Sequence, residues 1–355
     1  MGSFDCYCAI CAATLGDGNI EVGSASPNFL TRRRARVERR RRAREAGGDL
    51  ADADGDDDDF LEEGEDGGHW NTADDDHAYD PELIGDTKWL NDVRCLGFNP
   101  AGTNGGNFWS LDVDGDEPIV FPFHVCCFDL LSAAITGLQT DGELDKNVLY
   151  NTMMEVSEQF GSTLSVDHGD SNGGQQFWEC VPGEEKQYTV AEPAFTPAVE
   201  AAIKKEAAAG HVSQGRRRGV LVDGQRTISD PFRVLSNELV WQIARYLPGS
   251  DVLALSTASW PVLNATRGND FWAAFIHDDM PWAAAELKRI LGAAESEDHD
   301  YKALCLWFRR MTTPKFGVDA PWTGLANRRR IWDTCRELAD LYVRNKRTKL
   351  QGRQD

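Results

Sequence analysis

The chain has 355 residues, 41% of them hydrophobic, and a formal net charge of −21 at pH 7. That length suits two domains or three, and so much apolar material excludes a wholly disordered chain. No apolar run is long enough for a membrane-spanning helix. Residues 1–16 lack the basic start and apolar stretch of a secretory signal. A cytoplasmic or nuclear location is therefore expected, with the nine Cys as reduced thiols or metal ligands.

In chain order, residues 1–23 form a short head bearing the C-x-x-C pair Cys8 and Cys11. Residues 24–79 read as a disordered linker whose charges are segregated. Residues 31–46 hold nine Arg against two Glu, and residues 47–87 hold 17 Asp plus Glu with no Lys or Arg. The rest of the chain carries only −11, so the global acidity belongs mostly to one segment. Blocks of like charge bury too little apolar surface to offset their ordering entropy. The Arg block is either a localisation or nucleic-acid patch, or it pairs with the neighbouring carboxylates.

Residues 80–195 form a mixed module. Short apolar runs at 118–123, 175–181 and 187–191 predict strands, with a hairpin turn at Asp114-Gly115. Helices are predicted over 127–135 and near 148–160. Without regular βαβ spacing, the fold class is α+β. Residues 196–227, Ala-rich and then basic, read as a second linker. From Ile228 the pattern is helical: 228–282 as a compact module, then 283–350 as C-terminal helices. Ile331, Cys335, Leu338 and Tyr342 share one face of a helix starting near Leu325, a spacing that marks core packing.

Catalytic signatures are absent. There is no H-E-x-x-H, G-x-S-x-G or G-x-G-x-x-G. Gly210 and Gly215 have phosphate-loop spacing, but Arg216 and Arg217 replace the required Lys and Ser/Thr. Asp52, Asp54, Asp56 and Glu63 fit a calcium loop except that Asp57 stands where Gly must turn the chain. The His124-x-x-Cys127 pair, with Asp129 nearby, could serve as base and nucleophile, although no orienting or oxyanion group can be assigned. The chain is expected to be non-catalytic.

Metal chemistry is better supported. Cys8, Cys11, His124 and Cys127 offer two short-spaced pairs, four donors of the type and number that structural zinc prefers. The pairs are separated by 112 residues. Closing such a loop costs about 4 kcal/mol, against roughly 10–16 kcal/mol of apparent zinc binding. Cys6 and Cys126 adjoin the set as alternative ligands, and buried thiols are the competing account. A metal here would staple the head onto residues 80–195.

Within 228–282, Leu235, Leu239, Ile243 and Leu247 recur every four residues and form an apolar stripe on a helix. Pro248-Gly249 ends that helix, Ser250 or Asp251 can cap the next, and a third follows Pro261. A unit this small buries only about 60% of its unfolded surface, so it needs flanks or a partner to pack on.

This segment resembles the F-box, on Leu235, Glu238, Leu239, Ile243, Tyr246, Leu247, Asp251, Val252, Ala258 and Ser259. Ser236 stands where that family usually has Pro, and Trp260 where it usually has Arg or Lys. Several further pieces are similar to filamentous-fungal F-box proteins. These are the C-x-x-C head, Trp89-Leu90 with Arg94, Leu96-Gly97, Asn99-Pro100, Pro122-Phe123-His124 with Cys127, Pro182-Gly183-Glu184, and the run Asn327 to Trp332. The resemblance implies the substrate-receptor subunit of an SCF-type ubiquitin ligase. Such a subunit docks on a Skp-type adaptor, and through it on a cullin scaffold, and recruits a protein target that the resemblance does not identify. Leu235, Leu239, Ile243, Leu247, Val252 and Leu253 are the expected docking set, as a mixture of contact and core. The alternative is a nuclear or nucleic-acid-associated metal-binding protein using Arg32 to Arg44 and Arg328 to Arg330, against which the overall acidity argues.

Overall fold

A computed structural model describes residues 7–17, 80–97, 120–138, 144–157, 164–169, 187–209, 229–292, 299–314 and 320–351, with isolated positions between 35 and 46. Among these residues the fold is mostly helical, with one two-stranded antiparallel sheet, and is compatible with an α+β class. Several expectations lie outside the described residues: nearly all of the charged linker, the strand at 175–181, the turn at Asp114-Gly115, the calcium-loop and phosphate-loop positions, and the basic run at 216–218. The chain divides into two compact units, Met1–Ala194 with Thr312–Asp355, and Phe195–Met311.

The first unit is built on a strand that runs straight into a helix. β1 (Val93–Leu96) pairs antiparallel with β2 (Phe121–His124), with Val93 opposite His124 and Leu96 opposite Phe121. α2 (Val125–Leu138) continues directly from β2. α1 (Pro81–Ile84) precedes β1, and α3 (Lys146–Glu155) follows α2, its first turn capped by the Asp145 carboxylate, which accepts from the backbone N–H of Asn147 and Val148. The long C-terminal helix, Thr323–Gln351, belongs to this unit and packs mainly along α2. Ile331, Cys335, Leu338 and Tyr342, the stripe expected to be core, are all fully buried in the cluster that also encloses Ile10, Cys11, Leu131, Ile135 and Leu149. Gly324 lets that helix approach the rest of its unit: a Cβ there would sit 2.2 Å from the Glu192 carbonyl oxygen.

Two predicted segments are reassigned. The run 187–191 is not a strand but a turn of 3-10 helix, Gln187–Thr189. Its carbonyls need no ladder, because the Asn327 side chain donates to Thr189 O at 3.1 Å and Ala191 O at 2.8 Å. Nor is 196–227 a linker throughout, because α4 (Pro197–Ala209) occupies its first part. Alanine is the strongest helix former, and Val199, Ile203 and Ala207, four residues apart, make a buried stripe.

The second unit is all helix among its described residues: α4, α5 (Asn237–Arg245), α6 (Gly249–Ala258), α7 (Trp260–Ala265), α8 (Asn269–Asp279), α9 (Pro281–Leu291) and α10 (Tyr301–Thr312). The C-terminal helix of the first unit is accordingly α11. Ser236 caps α5, its hydroxyl accepting from Leu239 N–H at 3.5 Å, and Ser259 caps α7. Neither Ser250 nor Asp251 caps α6; that helix starts at Gly249 behind Pro248, and the two side chains bond each other at its exposed end. Trp241 ties α5 to α7, its indole donating to Ala265 O at 2.7 Å, and Trp241, Phe271, Trp272 and Phe275 form a packed aromatic group.

Candidate metal centre

Cys8 and Cys11 lie on a tight reversal of the head. Tyr7 bridges Thr14, Cys8 N–H donates to Ala13 O, and Ala12 N–H donates to Cys8 O, both at 2.8 Å. Ala12 takes a left-handed backbone, φ 56°, which closes the turn without glycine. Cys11 N–H donates to Cys8 Sγ at 3.4 Å, so the two thiols face one side. Ala9 N–H donates to Pro122 O at 2.8 Å and pins the turn to β2. On the facing side, His124 ends β2 and Cys127 sits in the first turn of α2, so the strand-to-helix junction sets their spacing.

The four side chains meet. Sγ of Cys8, Cys11 and Cys127 and a ring nitrogen of His124 all lie within 4.8 Å of one another, and all four residues are buried. His124 Nδ1 is 3.4 Å from Cys11 Sγ and 3.9 Å from Cys127 Sγ. A tetrahedral zinc with bonds of about 2.0–2.3 Å needs donors roughly 3.5–3.8 Å apart, so the set needs only a small contraction. The other ring nitrogen, Nε2, donates to Thr14 O at 3.1 Å, which leaves Nδ1 as the lone-pair donor facing the sulfurs. This is the outer hydrogen bond that metal-binding imidazoles generally make. The residues present therefore fit a metal such as zinc. Four protein donors close the coordination sphere, as in structural rather than catalytic sites.

Electrostatics agree with a site shaped for a cation. Burial works to raise the Cys8 thiol, yet hydrogen bonds from Cys11 and Cys127 and the nearby His124 hold it well below the ordinary thiol value. Burial opposes charge on His124, but the Cys8 and Cys11 sulfurs keep it well above the usual histidine range. Cys11 is raised and Cys127 raised well above the ordinary value, burial being the largest cause for each. Thiol ligands bind a divalent cation as thiolates and imidazole binds it neutral, so any protons they carry must leave when the ion enters. Zinc affinity is thus expected to rise with pH and to weaken in acid, with protons released as the ion enters. Calorimetry in buffers of differing ionisation enthalpy measures this; uptake without proton release would contradict the ligand set.

The rival readings fare differently. Asp129 is exposed and takes no part in the cluster, and His124 Nε2 is held by the Thr14 carbonyl. Cys126 is half-buried beside the set rather than in it, and Cys6 lies outside the described residues. Of the basic groups proposed for nucleic acid, Arg328 donates to Pro193 O and Arg329 to the Thr312 hydroxyl, while Arg330 is buried. They are engaged inside the first unit rather than displayed as a patch. Most of Arg32 to Arg44 lies outside the described residues.

The docking set separates into two roles. Leu239 is 46% exposed and Ile243 38%, whereas Val252, expected as part contact and part core, is wholly buried and belongs to the core. Leu235, Leu247 and Leu253 are half-buried, Leu235 packing on the cluster of Val240, Val262 and Ala265. Two residues join Leu239 and Ile243 that the docking set omitted, Val234 at 86% exposure and Tyr246 at 89%. Four of the six large exposed hydrophobics among the described residues thus fall within 234–246. The inward face of α5 is Val240 and Ala244, also four apart, which is why one stripe could not be told from the other by periodicity.

Sequence reasoning also missed the outer shell of the metal centre. Trp89 packs its ring on His124, centroids 4.6 Å apart, and Arg330 reaches the head. Asn327, Arg330 and Thr334 step by three and four beside the apolar stripe of α11, a signal of polar groups held on a buried face. No family model, curated protein or solved structure matches this chain.

Proposed function

We propose that this chain is a non-catalytic substrate receptor of an SCF-type ubiquitin ligase, docking a Skp-type adaptor through the exposed apolar face of 234–246, with structural zinc closing its first unit. The observation that carries the reading is that face. Val234, Leu239, Ile243 and Tyr246 stand in solvent on a short three-helix module whose opposite side is already packed. Concentrated exposed hydrophobics generally mark a protein-interaction surface. The residues that carry the F-box resemblance coincide with the face: Leu239, Ile243 and Tyr246 are among them. The adaptor would link the chain to a cullin scaffold, leaving its remaining surface for a protein target.

Co-purification and affinity measurement with the adaptor test this. Leu239→Ala and Ile243→Ala are each expected to weaken binding by about 2 kcal/mol, roughly 30-fold. Thermal stability should fall less than on emptying a core site, because both side chains are partly in water already. Unchanged adaptor affinity in the double variant, or no adaptor binding by the intact chain, would overturn the reading.

A further inference from the structure

A zinc ion held by three thiolates and one neutral imidazole carries one net negative charge, and here every donor is buried. A buried charge without a counter-charge is strongly disfavoured. A buried cation stands next to this centre. Arg330, on α11, is only 8% exposed. Its Nη1 donates to the carbonyl of Cys11, a ligand residue, at 2.7 Å and to His168 O at 2.9 Å. Nε and Nη2 both donate to Asn327 Oδ1, at 3.2 and 2.9 Å. Every one of these acceptors is neutral, and no carboxylate pairs with Arg330 among the described residues. A guanidinium does not deprotonate in proteins, so it is buried as a full cation.

We propose that Arg330 is the counter-cation of the loaded metal centre, so that zinc binding and the seating of α11 against the head stabilise one another. The surroundings hold the guanidinium in place. Asn327, which grips it, donates in turn to Thr189 O and Ala191 O. Trp89 donates to Val190 O at 3.0 Å and packs on the ligand His124, which closes the circuit back to the metal. Gly169 makes room for the stem: a Cβ there would lie 3.0 Å from Arg330 Cγ, and its φ is +65°. Linkage makes the coupling reciprocal: the factor by which Arg330 raises zinc affinity is the factor by which zinc favours docking of α11.

The proposal rests on the reading that the cluster binds zinc, and the experiment separates the two. Zinc affinity of the full chain is measured by chelator competition for wild type, Arg330→Gln and Arg330→Lys. Arg330→Gln is expected to bind zinc about 10–100-fold more weakly. Arg330→Lys keeps the charge but loses the planar fork, and is expected to stay within about tenfold of wild type. A role in hydrogen bonding alone would make Lys as poor as Gln. Wild-type affinity in Arg330→Gln, or equal losses in both variants, would overturn the assignment of a counter-charge. If Arg330→Gln does not fold, Arg330→Lys still decides, since a loss of about tenfold or more overturns the proposal. No zinc uptake by wild type would overturn the metal reading itself.

Discussion

Cys127→Ser is expected to abolish zinc retention and to unfold the head from the first unit. Cys127 is fully buried and is one of the four donors in the cluster among the described residues, so its loss leaves an incomplete sphere. Apparent structural-zinc binding of roughly 10–16 kcal/mol, less about 4 kcal/mol for closing the loop between the pairs, leaves a net loss of about 6 kcal/mol or more. At about 2–4 °C per kcal/mol, the first unit should melt at least ~12 °C lower. Chelator added to wild type should reproduce the shift, and zinc should not rescue the variant. Metal analysis with thermal unfolding measures both quantities. Unchanged zinc content in the variant would remove Cys127 from the ligand set, and an unchanged midpoint after zinc is lost would remove the metal from the architecture.

Leu338→Ala is expected to destabilise the first unit by about 2–5 kcal/mol, the range for emptying a fully buried leucine site. Leu338 is 0% exposed and lies in the cluster that encloses the Cys8–Cys11 turn, α2 and α11. The loss should appear in denaturant unfolding and persist when zinc is saturating, which distinguishes it from Cys127→Ser. Adaptor affinity should not change, because the face at 234–246 belongs to the other unit. Leu239→Ala is the mirror case, with binding weakened and the stability of the first unit kept. A Leu338→Ala variant as stable as wild type would mean that α11 does not seal this core.

The sequence was most informative where residues act through local period or paired spacing. The stripe from Ile331 to Tyr342 follows from helical geometry and is buried as expected. C-x-x-C and H-x-x-C each belong to one turn of chain, so each pair was legible, and together they make the cluster. What failed did so because a tertiary partner overrode local preference. The run at 187–191 has strand composition, but Asn327, far along the chain, satisfies its carbonyls and leaves it a helical turn. The Ala-rich run after 196 is the exception: its local preference is already helical, and Val199, Ile203 and Ala207 suffice to bury one face.

On α5, period singled out the stripe of Leu239 and Ile243, but only packing decided that Val240 and Ala244 face inward while Leu239 and Ile243 face water. The same division runs through the metal centre. Donor identities follow from sequence, because the chemistry of thiol and imidazole is intrinsic to the residue. Their convergence, the Thr14 hydrogen bond that sets the His124 tautomer, and the burial of Arg330 beside Cys11 come from contacts across more than a hundred residues. Sequence alone thus determined the core stripe of α11 and the candidate ligands, which depend on neighbours within one helical turn. Tertiary structure alone decided which faces are buried and which charges meet, because burial and Coulomb energy depend on distance in space rather than along the chain.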